Sequence, residues 1–253
     1  AHGNTGSAPD LTKSSLADVQ ALISLLVAES AYRPNRKLYD MWAERGAEAL
    51  RYVIEKSKEG GAQVVDQGQQ QHQATNRKYG FKINYVTSYF GPKPYCVGDG
   101  MQALCGVAEK AGVDIHYNTA AEQLVQDKEG KVTGVICLQQ VKGYVQYNAK
   151  NGVVVATGDY QNDLDMLRYY LPDMTNFTPK QLGRTGDGHK MIVWAGGAIE
   201  HIGHTHMLHD FDAAPASMCN MPFLRMKLDG HRFCNETHDM SVMNNYLRSK
   251  EDQ

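Results

Sequence analysis

The chain has 253 residues, 42% hydrophobic and 21% charged, with 24 Gly and 8 Pro, which allows a sizeable core and excludes collagen, coiled coil and wholesale disorder. A net charge of −2 and a pI near 6.6 leave no clustered-cation footprint for nucleic acid or an anionic membrane. The longest apolar run, Ala21 to Ala28, is interrupted by Ser24 and falls far short of the roughly 20 residues that span a bilayer.

In chain order, Leu16, Val19, Ile23, Leu26 and Val27 recur at helical spacing, and a second helix is expected after Asn35, with Leu38, Trp42, Ala49 and Val53 on one face and Gly60-Gly61 as its end. Gln67 to Thr75 is Gln-rich and nearly free of apolar residues, so it reads as a loop. Gly98-Asp99-Gly100 opens a helix with Met101, Leu104, Ala108 and Ala111 inward, Gly112 ends it, and Val113 to Tyr117 is expected as a strand.

From Glu122 the period becomes two. Leu124 and Gln126, the turn Lys128-Glu129-Gly130, then Val132 to Leu138, and Tyr144 to Ala149, predict an antiparallel meander. Gly152 to Gly158 is a continuous β-branched run bounded by glycines, the pattern of a strand buried on both faces. A helix follows over Asn162 to Leu171, and Thr185-Gly186-Asp187-Gly188 starts another that runs to Trp194, with Asp187 as candidate cap and Gly196-Gly197 as the end. A His-rich stretch, His201 to His209, and a hairpin from Leu224 to Phe233 turning at Asp229-Gly230 complete the reading.

Five cysteines, an odd count without a C-x-x-C pair, read as free thiols rather than a disulfide framework or zinc knuckle. The start, Ala-His-Gly-Asn-Thr-Gly, has neither an initiator Met nor the pattern of a signal peptide, so the chain is expected to be cut from something longer. Its location is left open between cytoplasmic and exported.

A glycine-opened helix, a short strand, an antiparallel meander and a buried strand ending Ala156-Thr157-Gly158 are the second half of a dinucleotide-binding domain. The residues of Gly112 to Thr119, Gly130 to Val135, Val153 to Gly158, Thr185 to Gly188 and Asp229 to Glu236 resemble the fumarate reductase and succinate dehydrogenase flavoprotein superfamily. Within it the chain is most similar to the soluble branch of flavocytochrome fumarate reductases, urocanate reductase and 3-ketosteroid dehydrogenases. The resemblance implies an α/β fold: a partial FAD/NAD(P)-binding, three-layer, Rossmann-like domain over 1–197 and the start of an α+β capping domain over 198–253.

It also implies FAD as cofactor, with Ala121 against its adenine side, Thr157 and Gly158 lining it at the strand end and Asp187 on the flavin-contacting turn. Gly158-Asp159 stands where the family has Gly-Gly. No G-x-G-x-x-G, the loop that holds a pyrophosphate, occurs in the sequence, and the resemblance places it before Ala1. This piece by itself is therefore expected to hold FAD poorly and to self-associate through an exposed sheet edge. The complete protein is expected to be an FAD-dependent oxidoreductase acting on a small molecule, moving hydride to or from a carbon–carbon bond next to a carbonyl or carboxylate. Its electron donor is not readable.

In fumarate reductases the proton donor is an arginine shortly after the Arg-Phe-x-Asn-Glu motif. Counting from Arg232-Phe233, that position is Met240, and a thioether gives no proton. The arginine and carboxylate that would relay to it fall near Cys219 and Ala216. His238 is the remaining candidate donor, and His209 and His206 are candidates for binding a substrate carboxylate. His201, His204, His206 and His209 with Asp210 and Asp212 admit a second reading, a metal-dependent hydrolase. Strand alternation would put His204 and His206 on one face and His201 and His209 on the other, so no single metal site is expected. A non-catalytic module that keeps only the fold is the third.

Overall fold

The computed structural model describes residues 4–30, 32–65, 75–91, 96–179, 181–200, 204 and 224–236. The chain forms two compact units that divide between Tyr117 and Asn118. Most of the residues beyond Gly197, where a second domain is expected to begin, lie outside the described set.

The first unit runs β1 (Asn4–Pro9), α1 (Leu16–Glu29), α2 (Arg36–Glu59), β2 (Val64–Val65), a short helix α3 (75–79), β3 (Tyr85–Phe90) and α4 (Val97–Lys110). Helix α1 starts where the Ser15 side chain accepts the Asp18 N–H at 3.3 Å, and α2 where Asn35 accepts that of Lys37 at 3.1 Å. The apolar face of α1 carries Val19, Leu22, Ile23 and Val27 into a core with Ala43, Ile83 and Tyr85. Each fully buried aliphatic there contributes about 1.5–3 kcal/mol.

Strand β3 is central, antiparallel to β1 and to β2, with Ala8 opposite Val86 and Val64 opposite Phe90. Side chains of α2 hold β1 in place. Trp42 Nε1 donates to the Ser7 carbonyl at 2.9 Å, and Arg51 lies 2.5 Å from the Asp10 carboxylate.

Helix α4 seats against α2 and β3 at backbone distance: a Cβ on Gly60 would lie 2.3 Å from the Ala103 carbonyl oxygen, and one on Gly100 would lie 2.5 Å from the Phe90 ring. Such close seating selects small residues for the contact face. The fully buried residues are accordingly Gly100 and Ala103; of those expected to face inward, Leu104 and Ala108 are half-buried, whereas Met101 and Ala111 are exposed. Gly112, at φ 88°, ends the helix as expected. Val113 to Tyr117 is not a strand, and both end residues are exposed.

The second unit begins with the expected meander, β4 (Thr119–Gln126), β5 (Val132–Gln139) and β6 (Gly143–Asn148), all antiparallel. It continues with α5 (Leu164–Tyr170), a 3-10 turn (Pro172–Asn176), α6 (Asp187–Trp194) and the hairpin turning at Asp229-Gly230. Helix α6 is tied to β4 by the Gln126 side chain, which donates to the Ala195 carbonyl at 3.0 Å. Tyr160, Met166 and Leu167 form a small core, with Tyr170, Leu171, Met174 and Ile199 packed on it.

Residues 152–158 depart from expectation: the run is neither a strand nor buried, and Val154 is 93% exposed. A strand buried on both faces needs neighbours along its edges and layers over its faces. Among the described residues every named strand pairs antiparallel, in β1-β3-β2 or in β4-β5-β6, so none lies beside this run. The fold is thus a mixture of helices and antiparallel sheet, and the parallel three-layer core is not seen among the described residues.

Candidate cofactor site

Thr157 and Gly158 end the 152–158 run, and the chain then turns through Asp159 to Asp163 into α5. That turn is stitched to the loop before α6. The Gly186 N–H donates to the Asp159 carbonyl at 3.2 Å, the Asn162 N–H to the Arg184 carbonyl at 2.9 Å, and the Arg184 N–H to the Asn162 side chain at 2.9 Å. Gly186 (φ 70°) leaves room for Met166, whose sulfur would be 2.4 Å from a Cβ there. A Cβ on Gly188 would lie 2.2 Å from Thr157 Oγ1 and 2.6 Å from Val155. Thr157 thus packs on the first turn of α6, next to Asp187 in the chain.

Asp187 is the first residue of α6 and not its cap. The capping place belongs to Gly186, because the left-handed turn there suits glycine, and Asp187 accepts the Thr185 hydroxyl at 2.5 Å. Lys190, one turn on, reaches Asp187 at 3.7 Å and Asp163 at 2.5 Å. The Lys190 ammonium and the Met166 N–H hold the Asp163 carboxyl below its ordinary range, and Asp163 in turn pushes Lys190 up. Asp163 caps α5 through that Met166 bond, at 2.8 Å, so one carboxylate joins both helices.

The structure therefore brings Thr157, Gly158 and Asp187 together, while Ala121 stands on β4 opposite Cys137. His206, His209, His238 and Met240 lie outside the described residues. Arg184 is a member of the patch that the sequence reading missed: a Cβ on Gly158, at φ 82°, would lie 2.2 Å from its Nη1. Its place directly before Thr185-Gly186-Asp187-Gly188 is the signal that could have found it.

Of the histidine cluster only His204 is described. Its Nδ1 shares a hydrogen bond with the Tyr160 hydroxyl and its ring stacks on Tyr170. The Arg-Phe-x-Asn-Glu motif is built around Glu236, which is buried and bonded to Arg232 and to the Arg225 N–H. Two clefts of the first unit, about 500 Å³ between α2 and α4 and about 400 Å³ at α1 and α2, are lined by none of the expected cofactor residues.

Thr157 and Asp187 are exposed and present a hydroxyl and a carboxylate beside a glycine with no Cβ and a half-buried guanidinium. That donor and acceptor set fits the hydroxyl-bearing and planar parts of FAD. The FAD binding domain family matches residues 7–252. The chain belongs to this family.

Among its relatives are the "Probable fumarate reductase Ifc3" of Shewanella frigidimarina (strain NCIMB 400), 27% identical over 173 residues, or 66% of this chain and 26% of the relative. The 3-oxosteroid 1-dehydrogenase of Comamonas testosteroni is 35% identical over 102 residues, 40% of this chain and 17% of the relative. The open conformation of a flavocytochrome c3 fumarate reductase superposes with a TM-score of 0.62 over 92% of this chain and 40% of that one, at 20% identity, and shares the fold. The match spans about a quarter of the length of the first curated relative.

Proposed function

We propose that this chain is part of an FAD-dependent oxidoreductase that transfers hydride to or from a carbon–carbon bond adjacent to a carbonyl or carboxylate. The observation that carries the reading is the meeting of Thr157 and Gly158 with the Asp187 loop on one exposed patch of a chain in the FAD binding domain family. Relatives named for fumarate reduction and for steroid dehydrogenation support the reaction class. When bound, FAD supplies the hydride-carrying ring position.

The chain's own residues hold and orient. Asp187 accepts a hydroxyl of the cofactor, Thr157 contacts it at the turn, and Gly158 lets it approach the backbone. Ala121 contributes on the adenine side. His206 and His209 bind the substrate's carboxylate or carbonyl oxygen. Met240 cannot protonate the substrate carbon, so the proton comes from another group, with His238 the candidate. Residues 1–197 belong to the cofactor domain and 198–253 begin the capping domain.

The test is to purify the complete protein and measure bound flavin by its blue absorbance. Its turnover is then assayed with reduced dye against fumarate, urocanate-like acids, enones and ketosteroids. A protein that stays colourless after FAD is added would sink the reading.

A further inference from the structure

Of the asparagines in the sequence, Asn151 alone is followed by glycine. The pair lies between the end of β6 at Asn148 and the run that ends at Thr157 and Gly158. Both residues are exposed, and among the described residues neither the Asn151 side chain nor the Gly152 N–H makes a hydrogen bond. The last tie to the sheet comes before the pair, where the Ala149 N–H donates to the Thr133 carbonyl at 2.8 Å. Gly152 takes φ 137°, a region that strains any residue with a side chain, and a Cβ placed there would meet nothing within 4 Å. Backbone conformation rather than packing therefore asks for glycine here, and no side chain of its own shields the Gly152 nitrogen.

A side-chain amide carbon is a weak electrophile and a main-chain N–H a weak nucleophile, which is ordinarily engaged in a hydrogen bond and crowded by its own Cβ. Neither restraint exists at Gly152. On losing its proton, the Gly152 nitrogen can form a bond to Asn151 Cγ and close a five-membered ring, while the bond from Cγ to the side-chain nitrogen breaks and ammonia leaves. Water then opens the cyclic imide. Opening at Cγ leaves aspartate, and opening at the main-chain carbonyl leaves isoaspartate, in which the chain runs through Cβ and Cγ. The sum is one water consumed and one ammonia released, without oxidant or reductant.

Other positions in the chain are restrained. The side chains of Asn35, Asn76, Asn84, Asn148 and Asn162 are all hydrogen-bonded, and each of these residues is followed by one that carries a Cβ. The Asp-Gly pairs are held too: Gly100 and Gly188 are buried in α4 and α6, and the Gly230 N–H donates to the Lys227 carbonyl at 3.0 Å. We propose that Asn151 is a site of spontaneous deamidation, converted without an enzyme to aspartate and isoaspartate. The product places a negative charge, and in isoaspartate an extra main-chain carbon, in the segment that joins the sheet to Thr157 and Gly158. This assignment does not depend on the proposed function.

The experiment incubates the complete protein in mildly acid and in mildly alkaline buffer, digests it and measures the mass of each peptide. The peptide bearing Asn151 is expected to gain about one dalton, the exchange of an amide for a carboxyl group, and to become a substrate for an isoaspartyl methyltransferase. The gain should be faster in the alkaline buffer, because the Gly152 nitrogen must lose its proton. Peptides bearing Asn84 and Asn162 should stay unchanged over the same period. Asn151→Gln should remove the gain, since glutamine would have to close a six-membered ring. If Asn151 stays intact in the native protein while a synthetic peptide of residues 147–155 converts, the fold protects the site and the proposal is overturned. Conversion at Asn84 or Asn162 as fast as at Asn151 overturns it as well.

Discussion

Arg232 and Glu236 form an ion pair whose acid is buried and whose base is not: the Glu236 side chain is 5% exposed and that of Arg232 62%. Arg232 Nε donates to one carboxylate oxygen at 3.1 Å and the Arg225 N–H to the other at 3.0 Å. These bonds, those from Arg232 foremost, hold the Glu236 carboxyl at about 2, against a usual 4.5. A carboxyl lowered on folding stabilises fully above its ordinary value, and the gain is lost as pH falls from 4.5 toward 2. Glu236→Gln should remove part of the acid-side slope of stability and loosen the hairpin around Asp229-Gly230. Urea unfolding at stepped pH tests this, and an unchanged slope would count against it.

In the first unit, burial pushes the Asp10 carboxyl up, but the Thr12 hydroxyl and Arg51 outweigh it and hold it below its ordinary range. Arg51→Met strands a buried carboxylate that keeps only its Thr12 bonds, and should cost about 1–2 kcal/mol, less than a fully buried pair because Arg51 is half in water. The loss should shrink as pH falls through the ordinary carboxylate range, where Asp10 in the variant becomes protonated. Thermal unfolding at neutral and acid pH reads both effects.

At the proposed cofactor patch, Asp187→Asn and Thr157→Ala should each weaken FAD binding by the complete protein about tenfold, the scale of one hydrogen bond to a charged or well-placed group. Gly188→Ala should weaken it further, because its Cβ would lie 2.2 Å from Thr157 Oγ1 and the turn must shift. Flavin fluorescence titration decides, and three variants binding as wild type would remove the patch from consideration.

Fumarate should be a poor substrate. A positioned general acid is typically worth about 10²–10⁴ in rate, and Met240 supplies none. Fumarate turnover equal to that of the best enone or ketosteroid would contradict this. Met240→Arg is a direct probe, with only partial gain expected because, by the resemblance, the relay positions fall near Cys219 and Ala216, neither of which is an arginine or a carboxylate.

Residues 1–253 alone should bind FAD weakly, because their sequence has no glycine-rich phosphate loop. They should also self-associate, since β6 is an edge strand with Tyr144 exposed and Val154 stands almost fully in solvent. Sub-micromolar FAD binding by a monomer, measured by fluorescence and light scattering, would overturn both parts.

Local chemistry made much of this legible. Asn35 starts a helix because its side chain caps, Gly112 and Gly196 end helices because they take positive φ, and the Leu124 to Leu138 alternation pairs as a hairpin. The run from Tyr85 to Phe90 is β-branched and aromatic, so β3 was open to the same reading, whereas Asn4 to Pro9 becomes a strand only because β3 and Trp42 hold it. The 152–158 run shows the converse, since periodicity reports what a segment would bury and not whether a neighbour is there to bury it. At the candidate site, the family resemblance of Val153 to Gly158 and of Thr185 to Gly188 pointed to Gly158 and Asp187. The placing of Arg184 and Tyr160 depends on long-range packing that no local pattern encodes.

The contact of Gly60 with Ala103 makes α2 a ruler. Gly60, which caps α2 directly before the left-handed Gly61, also touches the backbone of α4, so the length of α2 and the seat of its neighbour are one quantity. A residue inserted between Arg36 and Glu59 would turn the helix face by about 100° and move Gly60 off the spot beside Ala103 where no side chain is wanted. Relatives that differ in length should therefore gain or lose residues before Asn35 or after Ala62, leaving the span between them constant.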